Sequence, residues 1–304
     1  MNKAELKAKL DQLGVQYDPN ATNDELKQLL DANQPPSNTK QWNPHRNDQA
    51  DKSEQEPAIK IVDVVYPLSA ESLWDDNELR YSIRSLEKHF KNLGKIYIIG
   101  HLPDFIKPDD YNIIHIPFPD SYTENKDANL IAKLLRACQE ESLTDEFLFM
   151  SDDQYILQDV YAENMVPFYS VKLAERRYRT NNKWERRLQR TYQALKARGK
   201  EGYEYDTHAP VIMQKELFKE VMLTYDWGAT PGYCINSLYF SHTRDEHVQR
   251  DVQVVRVTHT KEDRPALVER IADACYLNHN DVALKGPIKE IIEEEYPEPS
   301  PFES

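Results

Sequence analysis

The sequence predicts an α/β domain with a mainly parallel sheet flanked by helices, plus a small N-terminal helix-loop-helix module. Three observations point there. From residue 58 to residue 304, short apolar runs rich in Ile, Val and Tyr alternate with patterns of helical period. Residues 1–34 carry two leucine-striped helical patterns separated by a short extended piece. Residues 35–57, PPSNTKQWNPHRNDQADKSEQEP, have almost no aliphatics and many prolines and polar residues, the composition of a flexible linker.

In the first module, AELKAKLDQLGV places Leu6, Leu10 and Leu13 on one helical face and stops at Gly14. TNDELKQLLDA then opens with Thr22 and Glu25 in capping-box spacing and carries Leu26, Leu29 and Leu30. In the larger domain, IKIVDVVYP reads as a buried strand. NELRYSIRSLEKHF reads as an amphipathic helix with Leu79, Ile83, Leu86 and Phe90 on one side. KIYIIGHLP and YNIIHIP are two further strands, ANLIAKLLRACQE a second helix, and EFLFMS a strand that runs straight into Asp152 and Asp153. Functional residues are expected at the C-terminal ends of such strands.

Composition narrows the function. Net charge is −14, which argues against a general polyanion binder. Cys138, Cys234 and Cys275 are widely spaced and odd in number, so reduced thiols and a cytoplasmic setting are expected, without a cysteine-ligated zinc. MNKAELKAKL lacks an apolar signal core, and no run has the length of a membrane span. With neither GxGxxG nor GxxxxGKS, and only 8 glycines, dinucleotide and P-loop folds are disfavoured.

Two adjacent aspartates at the end of a buried strand repel each other and lose solvation unless a cation joins them. A strand running into an Asp-Asp corner fits a nucleotide-sugar transferase of GT-A-like fold. There hard oxygen ligands hold Mg²⁺ or Mn²⁺ against the donor diphosphate. Capping and turn formation are the alternative roles for such a pair.

Four stretches in fixed order strengthen that reading: WDDNELRYSIRSLEKHF (74–90), the aspartate corner, YDTHAPVIMQKELFKEV (205–221) and YLNHNDVALKGPIKEIIEEEYPEPSPFE (276–303). Together they resemble the Stealth family of sugar-phosphate transferases over residues 59–303. The resemblance implies that Asp152 and Asp153 face the metal and donor, a UDP-sugar first among candidates. It implies that Asn77 and Arg80 line the donor side, with Arg80 a partner for phosphate, and that His208 and Asp281 lie near the reacting centre. Taken alone, Asn77 could cap the helix that follows it, Arg80 and Arg84 could form a solvated face, and Asn280–Asp281 could make an Asx-turn. His279 reads as structural. Two stretches depart from the family pattern: the first strand continues as DVVYPLSAES instead of a TWVDG-like turn, and the corner reads SDD instead of NDD. The missing acidic turn bears on the phosphotransfer reaction more than on the fold or the donor.

Residues 171–200 form a basic helical insertion with eleven Lys or Arg against two acids. Arg176, Arg177, Arg179, Lys183, Arg186, Arg187 and Arg190, with Trp184 interleaved, are the pattern a nucleic-acid backbone attracts. A lid over the donor diphosphate and a plain solvated surface are the alternatives. The N-terminal module resembles the HeH module, a relative of SAP and LEM domains, which implies contact with DNA or with protein.

The reading is metal-dependent transfer from a nucleotide-sugar to a hydroxyl acceptor, with Asp281 or His208 as general base. Hydroxymethylated bases in phage DNA are the acceptor hypothesis. A sugar-phosphate transferase acting on a polysaccharide precursor and a non-catalytic DNA-binding adaptor are the rivals.

Overall fold

The computed structural model describes residues 60–109, 112–179, 181–249 and 253–303, together with Lys3, Leu6, Lys7, Ala21, Thr22, Asn23, Glu25, Leu26 and Lys27. The chain divides into two compact units, Met1–Glu56 and Pro57–Ser304. In the first, Lys3, Leu6 and Lys7 are helical, as are Asn23 and Glu25–Lys27. The Thr22 backbone N–H donates to Glu25 Oε2 at 2.7 Å while the Glu25 N–H donates back to Thr22 Oγ1 at 3.4 Å. This reciprocal pair satisfies donors that a helix start leaves open. Leu6 and Leu26 are buried. The expectations placed on Leu10, Leu13, Gly14, Leu29, Leu30 and the linker 35–57 lie outside the described residues.

The second unit is a mixed α/β fold with a mainly parallel central sheet. Its strands are β1 (Val62–Leu68), β2 (Leu93–Gly100), β3 (Ile113–Ile116), β4 (Glu146–Phe149), β5 (Gln154–Ile156), β6 (Val211–Gln214), β7 (Val254–Val257) and β8 (Tyr276–His279). Its helices are α1 (Asn77–His89), α2 (Lys126–Ala137), α3 (Lys183–Lys196), α4 (Lys215–Leu223), α5 (Ile235–Thr243), α6 (Arg264–Ala272) and α7 (Ile288–Glu295). The central sheet runs β3-β2-β1-β4-β6, parallel except for β6, which pairs antiparallel with β4. A smaller sheet, β5-β8-β7, follows the aspartate corner and pairs Gln154 with Asn278.

All seven residues of β1 are buried, as a central parallel strand requires. The period of two sends Val62, Val64 and Tyr66 toward Leu79, Ile83 and Leu86 of α1. Val65 faces the other way, into a core with Ile131 and Leu134 of α2. Asp63 is the polar exception, and its carboxylate accepts from Lys95 N at 2.7 Å and Thr144 N at 3.0 Å.

Lys133 of α2 is almost fully buried at the point where β1 leaves the sheet. Its ammonium donates to Leu68 O at 2.7 Å and Ser69 Oγ at 2.9 Å and pairs with Asp120 at 2.6 Å. Gly100 sits beside it at φ 119°, where a β-carbon would fall 2.2 Å from Leu68 O and 3.0 Å from Lys133 Cε. Only glycine fits both that dihedral and that approach.

The C-terminal tail is bound back onto α1. Glu303 Oε2 accepts from Arg80 Nη1 at 2.5 Å, and the Arg84 guanidinium spans both Glu303 oxygens at 2.6 and 2.8 Å. Glu303 is nearly buried (6% side-chain exposure) and Arg84 little less so (10%). Removing one partner of such a group strands the others, at a cost of several kcal/mol when fully buried. We expect Glu303→Ala to lose about 2 kcal/mol, discounted for the partial exposure of Arg80, read as a lower melting temperature and faster proteolysis of the tail.

Candidate functional site

The order of the central sheet reverses at β1. The chain moves outward through β2 and β3, then crosses back to place β4 on the other side of β1. The loops leaving the C-terminal ends of β1 and β4 therefore diverge and open a crevice, the position where open α/β sheets bind ligands. A cavity of about 180 Å³ lies there, lined by Ser69, Ser72, Glu78, Asp152, Asp153, His279 and Asp281 among others.

Local bonds hold the corner in place. Ser151 N donates to Gln154 Oε1 at 3.0 Å and Gln154 N returns to Ser151 O at 3.2 Å, which closes the turn carrying both aspartates. Asn278 Nδ2 donates to Asp153 O at 3.1 Å, so the smaller sheet fixes the turn from the other side. The loop 69–76 is equally constrained. Ser72 Oγ accepts from Trp74 N and Asp76 N at 3.0 and 2.8 Å and donates to Glu78 at 2.8 Å. Asp75 and Asp76 take left-handed backbone angles, φ 53° and 57°, a strained choice that concentrates at functional sites.

The charge is one-sided. Burial first, and then repulsion from Glu78, holds the Asp152 carboxyl above the usual range; burial and then Asp152 do the same for Asp153. Glu78 is raised by burial and by the charges of Asp281 and Asp76. Arg256 of β7 is exposed and acts electrostatically on both Asp153 and His208.

Of the residues singled out by sequence, Asp152, Asp153 and Asp281 meet in this cavity. His208 lines two adjoining cavities instead, at φ 62°, and burial next to Arg256 pushes its imidazole down to about 4. Asn77 and Arg80 do not line the aspartate cavity. Asn77 Oδ1 accepts from Arg80 Nε at 2.8 Å, while the Arg80 guanidinium is committed to Glu303 and lies over the Phe105 ring at 4.1 Å. Arg80 and Arg84 share the one carboxylate of Glu303, which leaves the cluster with a net positive charge, so a phosphate role for Arg80 stays an expectation. Arg84 is likewise a clamp for the tail and not a solvated face. Glu78 was missed, although it is the next residue after Asn77, because a helix pattern does not show which side of the first turn meets a strand end. Arg256 was missed because nothing in VVRV sets it apart. His279 joins the lining, and its Nε2 bonds Tyr155 Oη at 2.9 Å.

The basic segment is not one solvent-facing strip. Arg176 pairs with Glu204, Arg187 with Asp127 at 2.5 Å, and Arg190 donates to the carbonyl oxygens of Asp226, Ala229 and Pro231. These three guanidinium groups are turned into the protein. Arg177, Arg179, Lys183 and Arg186 remain exposed, and Trp184 is half-buried. Lys183 and Arg186 border a cavity of about 610 Å³ at the start of α2.

Among the described residues no three His, Cys, Asp or Glu side chains are disposed to hold a metal by themselves. The donor set fits Mg²⁺ or Mn²⁺ in another way, because such ions are commonly held by one or two carboxylates plus substrate phosphates. Asp152 and Asp153 supply hard oxygens, and their crowding with Glu78 favours a cation.

No protein-family model matches the chain. Over 120 residues it is 27% identical to the N-acetylglucosamine-1-phosphotransferase subunits alpha/beta of Homo sapiens, and equally to those of Mus musculus. The matched stretch is 37% of this chain and 9% of those proteins, so the chain spans only a small part of the curated relatives it matches. Among solved structures it is similar to a glycosyltransferase involved in the glycosylation of the major capsid of PBCV-1. The TM-score is 0.38 at 12% identity, over 78% of this chain and 98% of that one. Among the described residues no helix is long and apolar enough to cross a membrane.

The raised carboxylates have a consequence for stability. A group whose proton is held more tightly in the folded than in the unfolded chain opposes folding once it ionises. The contribution of Asp152 and Asp153 to metal-free stability should therefore fall as pH rises from about 4 to about 8. Because His208 and His279, pushed down to about 4, add stability as pH rises from about 4 to 6.5, the fall is read between about pH 6.5 and 8. In Asp153→Asn that fall should shrink by on the order of 1–2 kcal/mol, the equivalent of about one pKa unit. Melting curves across this pH range in the presence of a chelator check it.

Proposed function

We propose that the chain transfers a sugar, with or without its phosphate, from a nucleotide-sugar donor to an acceptor hydroxyl. The observation that carries this is the meeting of Asp152, Asp153 and Asp281 with buried Glu78 where the sheet order reverses, within electrostatic reach of an exposed arginine. A crevice at a strand-order reversal suits a nucleotide-bearing ligand, and paired carboxylates suit a divalent ion against its phosphates. When bound, that ion would neutralise charge on the departing phosphate.

The chain's own residues divide the remaining work. Asp152 and Asp153 would hold the ion. Arg256, which has no ion pair among the described residues and lines a cavity beside His208, would meet a phosphate oxygen. His208 stays neutral near pH 7 because burial disfavours its charged form, so its ring nitrogen is open to receive the acceptor proton. Asp281 is exposed at the mouth of the aspartate cavity and is the alternative base.

The partial likeness to the mammalian N-acetylglucosamine-1-phosphotransferase favours moving the sugar together with its phosphate. Released nucleotide decides between the two reactions: a diphosphate for glycosyl transfer, a monophosphate for sugar-phosphate transfer. Hydroxymethylated DNA remains an acceptor to test, on the strength of the exposed Arg177, Arg179, Lys183 and Arg186.

UDP-sugars offered with Mn²⁺ or Mg²⁺ to oligosaccharides and to hydroxymethylated DNA, with products read by mass spectrometry, test the reading. Turnover should be metal-dependent and at least 10²-fold lower in Asp153→Ala. Arg256→Ala should raise the donor KM about tenfold or more, the equivalent of a lost charged hydrogen bond. His208→Gln should lower kcat by roughly 10²-fold or more. No turnover with any donor, or turnover indifferent to Asp153, overturns the proposal.

A further inference from the structure

The basic segment 171–200 has no part in the aspartate cavity, and its helix has a face of its own. Helix α3 is 14 residues long, about 21 Å from end to end. Leu188, Thr191 and Leu195 form its buried side. The helical period puts Lys183, Arg186, Gln189, Gln193 and Lys196 on the opposite side, and all but the half-buried Gln189 are exposed. No acid stands among them. The one acid of the helix, Glu185, is turned back and accepts from the Arg179 backbone N–H.

Such a face is out of keeping with a chain of net charge −14, and a local surplus acts on a partner whatever the total. Arg177 and Arg179, on the loop that enters α3, are exposed as well. Among the described residues, none of Arg177, Arg179, Lys183, Arg186 and Lys196 has an ion pair with an acid. Lys183 and Arg186 border the cavity at the start of α2, whose other charges are Lys126 (paired with Glu71), Arg187 (paired with Asp127) and Glu124. Against the five unpaired cations stand Glu124, Glu175 and the turned-back Glu185, so the surplus is positive. A row of phosphates complements it. The glutamines narrow the partner further, because arginine and glutamine side chains pair with base edges in the major groove of B-form DNA. That groove, about 12 Å wide, admits a helix, whereas the deep, narrow one of A-form RNA does not.

We propose that the solvent face of α3, with the loop 177–179 before it, is a docking surface for double-stranded B-form DNA. Lys183 and Lys196 lie at the two margins of the face and meet phosphates on either side of the groove. Arg186 and Gln193 lie between them and turn toward base edges. Arg177 and Arg179 hold the backbone where the helix begins. The contact belongs to the second unit alone and is independent of the transfer reaction: it fixes where a duplex lies, whether or not that duplex is the acceptor.

Fluorescence anisotropy on the full chain, without donor or metal, tests this. The probes are a labelled, unmodified DNA duplex of about two helical turns, single-stranded DNA and duplex RNA of the same length, and hyaluronate as a polyanion without phosphate. The DNA duplex should bind at least tenfold more tightly than any of the others at one salt concentration. Combining Lys183→Ala, Arg186→Ala and Lys196→Ala should weaken it at least tenfold and make the slope of log affinity against log salt shallower by about 2–3. Thermal melts confirm folding, and Arg177→Ala with Arg179→Ala serves the same comparison if the triple variant does not fold. The proposal is overturned if the duplex does not bind, if another probe binds as tightly, or if affinity and salt slope are unchanged in the folded variants. Because no donor is present, failure of nucleotide-sugar turnover would defeat the reaction and leave this result readable.

Discussion

Two carboxylates leave β4 side by side into a space that a buried glutamate already occupies, and the site is organised around that repulsion. Asp152, Asp153 and Glu78 are each pushed toward the protonated form by burial and by another acid of the cluster. Protein interiors do not keep such a group without compensation. The compensation within the chain is small: backbone bonds to the turn, the Ser72 hydroxyl on Glu78, and the charge of Arg256 at a distance. A bound cation with phosphate oxygens around it would supply the rest.

Much of the surrounding fold keeps other cations away from this point. Lys133 approaches the end of β1 but commits its donors to Leu68, Ser69 and Asp120. Arg80 and Arg84 are held by Glu303, which the tail brings from the far end of the sequence. Arg187 is held by Asp127. The aspartate cavity stays acidic, and the exposed guanidinium of Arg256 belongs to a cavity beside His208.

The alternation of strands and helices through Phe149 was legible because each buried strand is dominated by apolar residues and each helix carries its stripe on one side. The aspartate corner was legible for the same reason: two acids directly after EFLFMS stand out against an apolar run and are costly there without a partner. The antiparallel β6 and the three-stranded sheet were not, because strands of three or four residues such as QYI and YLNH carry too little pattern to show direction. The partner of Arg80 was not legible, because the resemblance supplies a residue type while Glu303 lies 223 positions away. The inward bonds of Arg176, Arg187 and Arg190 were not legible for a related reason: charge counted along a chain does not reveal the carbonyls and carboxylates that fold against it.

The central claim is that Asp152 and Asp153 hold a divalent ion together with the donor's phosphates. The most direct measurement is anomalous scattering from crystals soaked with Mn²⁺ and uridine diphosphate. The account predicts a manganese peak bonded to carboxylate oxygens of this pair and to the diphosphate, with Arg256 closing on a phosphate oxygen. A nucleotide bound elsewhere, or a corner without manganese while the nucleotide is bound, would contradict it.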